Sequence, residues 1–264
     1  MASKTINSVT EYIELIEAIR KQNVENGNRS DVIFRGQPQD KSLLPKIARL
    51  SLKGNLAEIE KMMLQEFERR MLPLSEFKPE NKWDLLALAQ NHGLPTRLLD
   101  WSYNALIALW FAVGKPAKRT DEGHFSNGIV YILNIDINDF NADIENIDPL
   151  SVDATTIFRS TVVSRRISSQ DGLFTIHKLE SSGEMISLEK TPTFEKKITK
   201  VVIPHTMFPD FRKQLDVLGV NCSTTFPDID GLCRHLQWRY AYYKDEIPKN
   251  NDQPPKLNAW EDGR

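Results

Sequence analysis

The sequence has little of what most readily declares a function. Cysteine is nearly missing: Cys222 and Cys233 are the only two among 264 residues. They are too few for a disulfide framework and share no Cys-x-x-Cys spacing, which fits a reducing compartment. No charge of one sign dominates, since 34 Lys and Arg stand against 36 Asp and Glu for a formal net charge of −2. General nucleic-acid binding and membrane-surface binding, which need a strongly basic balance, are therefore not expected. Long apolar runs are missing too. The longest, Ala105–Val113, has nine residues, against the roughly 20 that a helix needs to cross a bilayer. The opening MASKTINSVTEYIE lacks an apolar stretch of signal-peptide length and is interrupted by Glu11 and Glu14. These absences predict a cytoplasmic protein. The glycine-rich phosphate loops GxGxxG and GxxxxGK[ST] do not occur, nor does a GxSxG elbow. His92, His124, His177, His205 and His235 show no HExxH spacing, so no metal is expected.

What is present is an ordinary globular composition, 40% hydrophobic and 27% charged, in a chain long enough to bury a large core. Ser8-Val9-Thr10-Glu11 reads as a capping box, followed by Val9, Tyr12, Leu15, Ile16 and Ile19 at helical spacing. Asp31–Phe34 reads as a short strand entering a turn at Arg35–Pro38. A helix is expected over Leu56–Leu72 with Asn55 as its cap, and another over Trp83–Asn91 stopped by Gly93. Leu94–Trp101 reads as a turn-rich bridge, after which Ser102 caps an all-apolar helix through Val113. Gly128–Ile135 is a buried-strand pattern, residues 136–160 a polar excursion, and Leu173–His177 and Lys200–Ile203 further strands. Phe208–Leu218 and Gly231–Tyr243 close the series as helices.

The fold class that results is α+β, a helix-rich N-terminal half packed on a mixed or antiparallel sheet. Missing βα alternation argues against a doubly wound nucleotide fold. Residues 1–29 are expected as an N-terminal helix, 30–243 as the main domain, and 244–264 as a polar, flexible tail.

Four stretches concentrate unusual chemistry. Phe34-Arg35-Gly36-Gln37 places an arginine at a strand end beside a glycine that admits a close backbone or ligand, which suits an anion clamp and equally a solvated turn. Gln90, His92, Thr96, Arg97 and Asp100 crowd into eleven positions between apolar segments. Charges there need partners, and Arg97 and Asp100 could supply each other. Arg166–Phe174 brings Gln170 to a turn before a strand. Phe226–Gly231 brings Asp228 and Asp230 to a helix start, where capping is the plainer role.

Together the four stretches resemble the FRG domain family, named for the tripeptide standing here as Phe34-Arg35-Gly36. Leu44-Pro45 and Arg49 follow the same pattern. Its most specific segment stands here as Ala89-Gln90-Asn91-His92-Gly93-Leu94-Pro95-Thr96-Arg97-Leu98-Leu99-Asp100-Trp101, with Asn91 where the family carries the first of two histidines. The resemblance covers roughly residues 30–240 and is to a largely bacterial family without one settled activity.

The aromatic-Arg-Gly on an early strand is also similar to the NAD-gripping strand of ADP-ribosyltransferases, which implies an ADP-ribosyltransferase-like fold and NAD as substrate. On that resemblance Arg35 grips the diphosphate, with Gln37, Gln90, Arg97 and Arg166 as further binding residues. His92, Asp100 and Gln170 are the catalytic candidates, contacting nicotinamide and orienting the ribose hydroxyls. A toxin-like or anti-phage role would fit. A second reading makes Arg35, Arg97 and Arg166 a non-enzymatic pocket for a small anionic ligand or nucleotide that switches a protein partner. A third is a nuclease with a divalent metal on Asp100, Asp228 and Asp230.

Overall fold

The computed structural model describes residues 2–25, 31–75, 77–140, 146–160 and 170–247. Its strands are β1 (Ala2–Thr5), β2 (Asp31–Gln37), β3 (Leu98–Ser102), β4 (Gly128–Ile135), β5 (Thr156–Phe158), β6 (Gly172–Ile176) and β7 (Ile198–Ile203). The helices are α1 (Val9–Glu25), α2 (Leu56–Met71), α3 (Lys82–Asn91), α4 (Ala105–Val113), α5 (Phe208–Val217), the short α6 (Cys222–Thr225) and α7 (Ile229–Tyr240). All strands join one mixed sheet in the order β1-β7-β4-β2-β3-β6-β5, with β1 parallel to β7 and the other pairs antiparallel. The fold is α+β.

Apolar residues on both faces of the central strands explain this layering. In β4, Val130 and Ile132 enter a core shared with α1, α4 and α5, while Ile129, Tyr131 and Leu133 enter another on the opposite face. A strand covered on both sides reads as a continuous apolar run, as Gly128–Ile135 does. The far end of the sheet has its own core, where α2 and α3 pack on Leu98, Phe158, Phe174 and Ile176.

Four of the described helices start at asparagines whose side chains accept backbone N–H bonds: Asn55 for α2, Asn81 for α3, Asn104 for α4 and Asn221 for α6. The cap of α4 is thus Asn104 rather than Ser102. Ser102 ends β3 instead, with its hydroxyl accepting from the Asn104 N–H and donating to the Gln170 carbonyl. The second half of the segment read as a bridge, Leu98–Trp101, is therefore strand, while Leu94–Arg97 remain a connection. Leu99 and Trp101 point into one core and Leu98 into another, the alternation of a strand covered on both faces. Two more strands escape the sequence reading. β1, ahead of the N-terminal helix, is four residues long, and β5, inside the polar stretch 136–160, has three. Of the tail expected over 244–264, the described part is tied down: Arg212 holds Asp245 and Glu246, each at 2.8 Å.

Gly36 is required where it stands. A Cβ added there would lie 1.7 Å from the Ala108 carbonyl oxygen, so α4 crosses β2 in backbone contact. Immediately before β3, Arg97 is 1% exposed and paired with Glu60 of α2, itself 2% exposed. Glu60 accepts from the Arg97 backbone N–H at 3.0 Å, from Nε at 3.0 Å and from Nη2 at 2.7 Å. The Arg97 Nη1 donates to the Leu150 carbonyl at 3.0 Å.

Removing one partner leaves the other charge buried and alone. Glu60→Ala and Arg97→Ala are each expected to lower the unfolding free energy by about 3–5 kcal/mol, while Glu60→Leu combined with Arg97→Met loses less than either. Gly36→Ala, which forces α4 off β2, is expected to cost about 1–3 kcal/mol or more. Denaturant titrations of the four variants against the parent check both statements.

Candidate functional site

β2 and β3 touch at a single register position, Phe34 opposite Ser102. Continuing that register would place Arg35 opposite Trp101 and Gly36 opposite Asp100, but the strands splay there. A cavity of about 190 Å³ opens in the gap, lined by Arg35, Gly36, Gln90, Asn91, Asp100 and Gln170 among others, with Ala108 and Phe111 of α4 beside it. Where a ladder bond would have run, the Arg35 Nη1 donates to the Asp100 carbonyl at 2.7 Å and lies 3.5 Å from its carboxylate.

The Asp100 side chain is 51% exposed and that of Arg35 16%. From α3, Gln90 Nε2 donates to both Asp100 oxygens at 3.2 and 3.1 Å. The orientation of that amide is set by the Thr96 hydroxyl, which donates to Gln90 Oε1 at 2.7 Å. A chain Thr96–Gln90–Asp100–Arg35 therefore holds one carboxylate from two sides at the cavity wall. Burial pulls the Arg35 pKa below its ordinary value, and Asp100 opposes that pull. The Arg35 Nε is buried with no partner among the described residues.

A second cavity of about 480 Å³ shares Gly36 and Phe111 with the first. Its lining includes Trp110, Phe226, Trp238 and Tyr243 together with Lys115, Arg212 and Arg234. Trp110, Phe111 and Phe226 meet edge to face in pairs, with ring centroids 5.4, 5.7 and 5.9 Å apart.

Of the residues expected at one site, Arg35, Gln90, Asp100 and Gln170 do line the first cavity. Gln170 spends its amide donor on the Thr225 carbonyl at 3.1 Å and so braces the cavity wall. Asp171 beside it takes a left-handed backbone, φ 47°. Three of the expected residues lie elsewhere. His92 is the C-cap residue of α3 and faces an apolar groove with Ile59, Met63, Phe67 and Leu94, because the helix turns it away from Gln90 and Asn91. Arg97 is in the core with Glu60, so the pairing of Arg97 with Asp100 does not form. Gln37 turns to the neighbouring loop and donates to the Lys41 carbonyl. Arg166 lies outside the described residues. Asp228 caps α7 through the Gly231 N–H, and Asp228 and Asp230 line the second cavity, apart from Asp100. Among the described residues no three His, Cys, Asp or Glu gather into a metal-sized group, and no helix is long and apolar enough to cross a membrane.

Thr96 is a member of the network that sequence reasoning noted without a role. The aromatic corner at Trp110 and Phe111 was hidden inside a helix read as uniform core. Phe226 alone carried a signal, as the first residue of the fourth motif. In comparison with known families, residues 30–121 match the model of the FRG domain. The first two motifs fall within that range, and Arg166–Phe174 and Phe226–Gly231 lie beyond it. No curated protein and no solved structure matches the chain.

Behind the site sits His177, fully buried, its backbone N–H on the Arg97 carbonyl and its Nδ1 3.1 Å from the Ile186 carbonyl. Its Nε2 has no partner among the described residues. Burial, helped by the charges of Arg35 and Arg97, lowers its pKa from 6.5 to about 4. The unfolded chain thus binds the proton more readily. This contribution to stability is complete above pH 6.5 and is lost as the pH falls toward 4, by on the order of 3 kcal/mol. Unfolding free energies measured at pH 7 and at pH 4.5 are expected to differ less in His177→Leu than in the parent by most of that amount.

Proposed function

The chain carries an FRG domain over residues 30–121, and on that premise we propose that its cleft binds NAD and breaks the bond between nicotinamide and ribose, as ADP-ribosyltransferases do. The observation that carries the reading is the Asp100 carboxylate, half-exposed at a cavity wall and fixed by Arg35 on one side and Gln90 on the other. A volume of about 190 Å³ lies below the roughly 300–1,000 Å³ of pockets that hold a whole drug-sized ligand. It suits one ring and the sugar atoms next to it, with the rest of a dinucleotide extending into the adjoining cavity.

The chemistry needs a fixed negative charge. When the glycosidic bond breaks, the electron pair leaves with nicotinamide, and positive charge develops on C1′ and the ring oxygen of the ribose. A carboxylate already aimed at that position stabilises the charge without reorganising, and it can also accept a hydrogen bond from a ribose hydroxyl. Water or an acceptor group then bonds to C1′ and gives up a proton; with water, NAD becomes ADP-ribose, nicotinamide and a proton. Arg35 acts here as a positioning residue rather than a diphosphate clamp, because its guanidinium is engaged with Asp100. Gln90 and Thr96 position the same carboxylate from the helix side.

Incubation with NAD is expected to release nicotinamide. Asp100→Asn, which keeps the shape and removes the charge, should slow that release about 100-fold or more. Gln90→Leu should slow it by a smaller factor with KM little changed. A parent protein that releases no nicotinamide would sink the enzymatic reading and leave a nucleotide-binding module in its place.

A further inference from the structure

The second cavity has a lining that chemistry at Asp100 does not use. We infer that it is the seat of a purine base, so that a dinucleotide lies across both cavities with its adenosine end in the larger one. The inference builds on the NAD reading but stands on its own observations. At about 480 Å³ the cavity is of a size to take a nucleoside. Five aromatic side chains, Trp110, Phe111, Phe226, Trp238 and Tyr243, line it. The first three brace one another edge to face, which leaves a rigid aromatic corner. Stacking on such rings accepts any flat base, whereas a purely aliphatic ligand would need no such array.

Charge fits the same ligand. Arg234 lies with its guanidinium carbon 5.3 Å from the Phe226 ring centre, and its Nε donates to the Cys222 sulfur at 3.4 Å. Arg234 is exposed at the cavity wall, where Lys115 is a second cation and Asp228 and Asp230 are carboxylates in the same lining. Guanidinium and ammonium groups beside a stacking surface suit the phosphate attached to a base. Arg212, by contrast, is used internally: it holds Asp245 and Glu246 and so fixes the C-terminal segment. Glu246 in turn accepts from the Trp238 indole N–H and the Tyr243 backbone N–H, both at 3.1 Å. Two of the five rings are therefore set by one carboxylate.

The test is calorimetric titration of the full chain with AMP and, separately, with ribose 5-phosphate, which keeps the sugar and phosphate but lacks the base. AMP is expected to bind saturably and ribose 5-phosphate at least tenfold more weakly. Arg234→Ala, a surface change that leaves the core intact, and Phe226→Leu should each weaken AMP at least tenfold, with unchanged circular dichroism. Asp100→Asn should bind AMP as the parent does. Equal affinity for the two probes, undiminished AMP binding in both cavity variants, or no saturable AMP binding would overturn the assignment. AMP binding at this cavity without nicotinamide release from NAD would keep the base seat and remove the enzymatic reading. Nicotinamide release without AMP binding would do the reverse.

Discussion

The ion pair between Glu60 and Arg97 sits where the fold can least tolerate a loose contact. Both side chains are out of water, and the guanidinium has carboxylate on two of its nitrogens and the Leu150 carbonyl on a third. Burying two charges rarely stabilises more than a well-packed apolar pair would. Two guanidinium N–H groups on one Glu60 oxygen and the Arg97 backbone N–H on the other do supply direction, because together they fix both distance and angle between the elements that carry them. Here those elements are α2 and the entry to β3. The Arg97 carbonyl is also bonded to the His177 backbone at the end of β6. β3 is thus pinned at its first residues from the helix, the loop and the neighbouring strand. Asp100 follows three residues on, and its place is a consequence.

The other half of the site comes from what β2 and β3 fail to do. Ladder pairing stops after Phe34 and Ser102, and unpaired backbone between two buried strands would ordinarily be costly. Arg35 answers that cost by donating to the Asp100 carbonyl across the gap. The tripeptide at this point has three separate jobs. Phe34 fills the core beneath α4, Arg35 bridges the opening, and Gly36 lets α4 lie close enough for Ala108 and Phe111 to flank the cavity. Strand, gap and flanking helix are set by three consecutive residues.

Legibility in the sequence followed the range of the interactions. Helices with a cap and a periodic apolar face were plain, as were Gly128–Ile135 and the first half of β2; Arg35–Gln37, read as a turn, instead continue that strand in antiparallel pairing with β4. β3 was missed because Asp100 interrupts its apolar residues, and the polar neighbours Thr96, Arg97 and Asp100 look like a loop until their partners are known. Those partners are distant in sequence: Glu60 lies 37 positions before Arg97 and Arg35 lies 65 before Asp100. Two arginines of equal promise therefore ended differently, one in the core and one at the cavity. The same limit misplaced His92, since a one-residue step along a helix turns the side chain by about 100°. Gln90 and Asn91 face the cavity from the last turn of α3, and His92 has already rotated past it.

Chain position separates the two cavities only in part. Arg35, Gln90, Thr96 and Asp100 all fall within residues 30–121, the stretch that matches the FRG domain. Phe226, Arg234, Trp238 and Tyr243 come from the C-terminal helices and the segment after them, outside that match. The carboxylate network is closed on itself, held by β2, β3 and α3, and owes nothing directly to α7. The two meet only along Gly36 and Phe111, and through Gln170, whose side chain reaches the Thr225 carbonyl at the end of α6. Changes in the C-terminal helices can therefore alter what the larger cavity holds while Asp100 keeps its geometry. Changes in β2 or α3 cannot spare it, because each carries one of the two groups that fix the carboxylate.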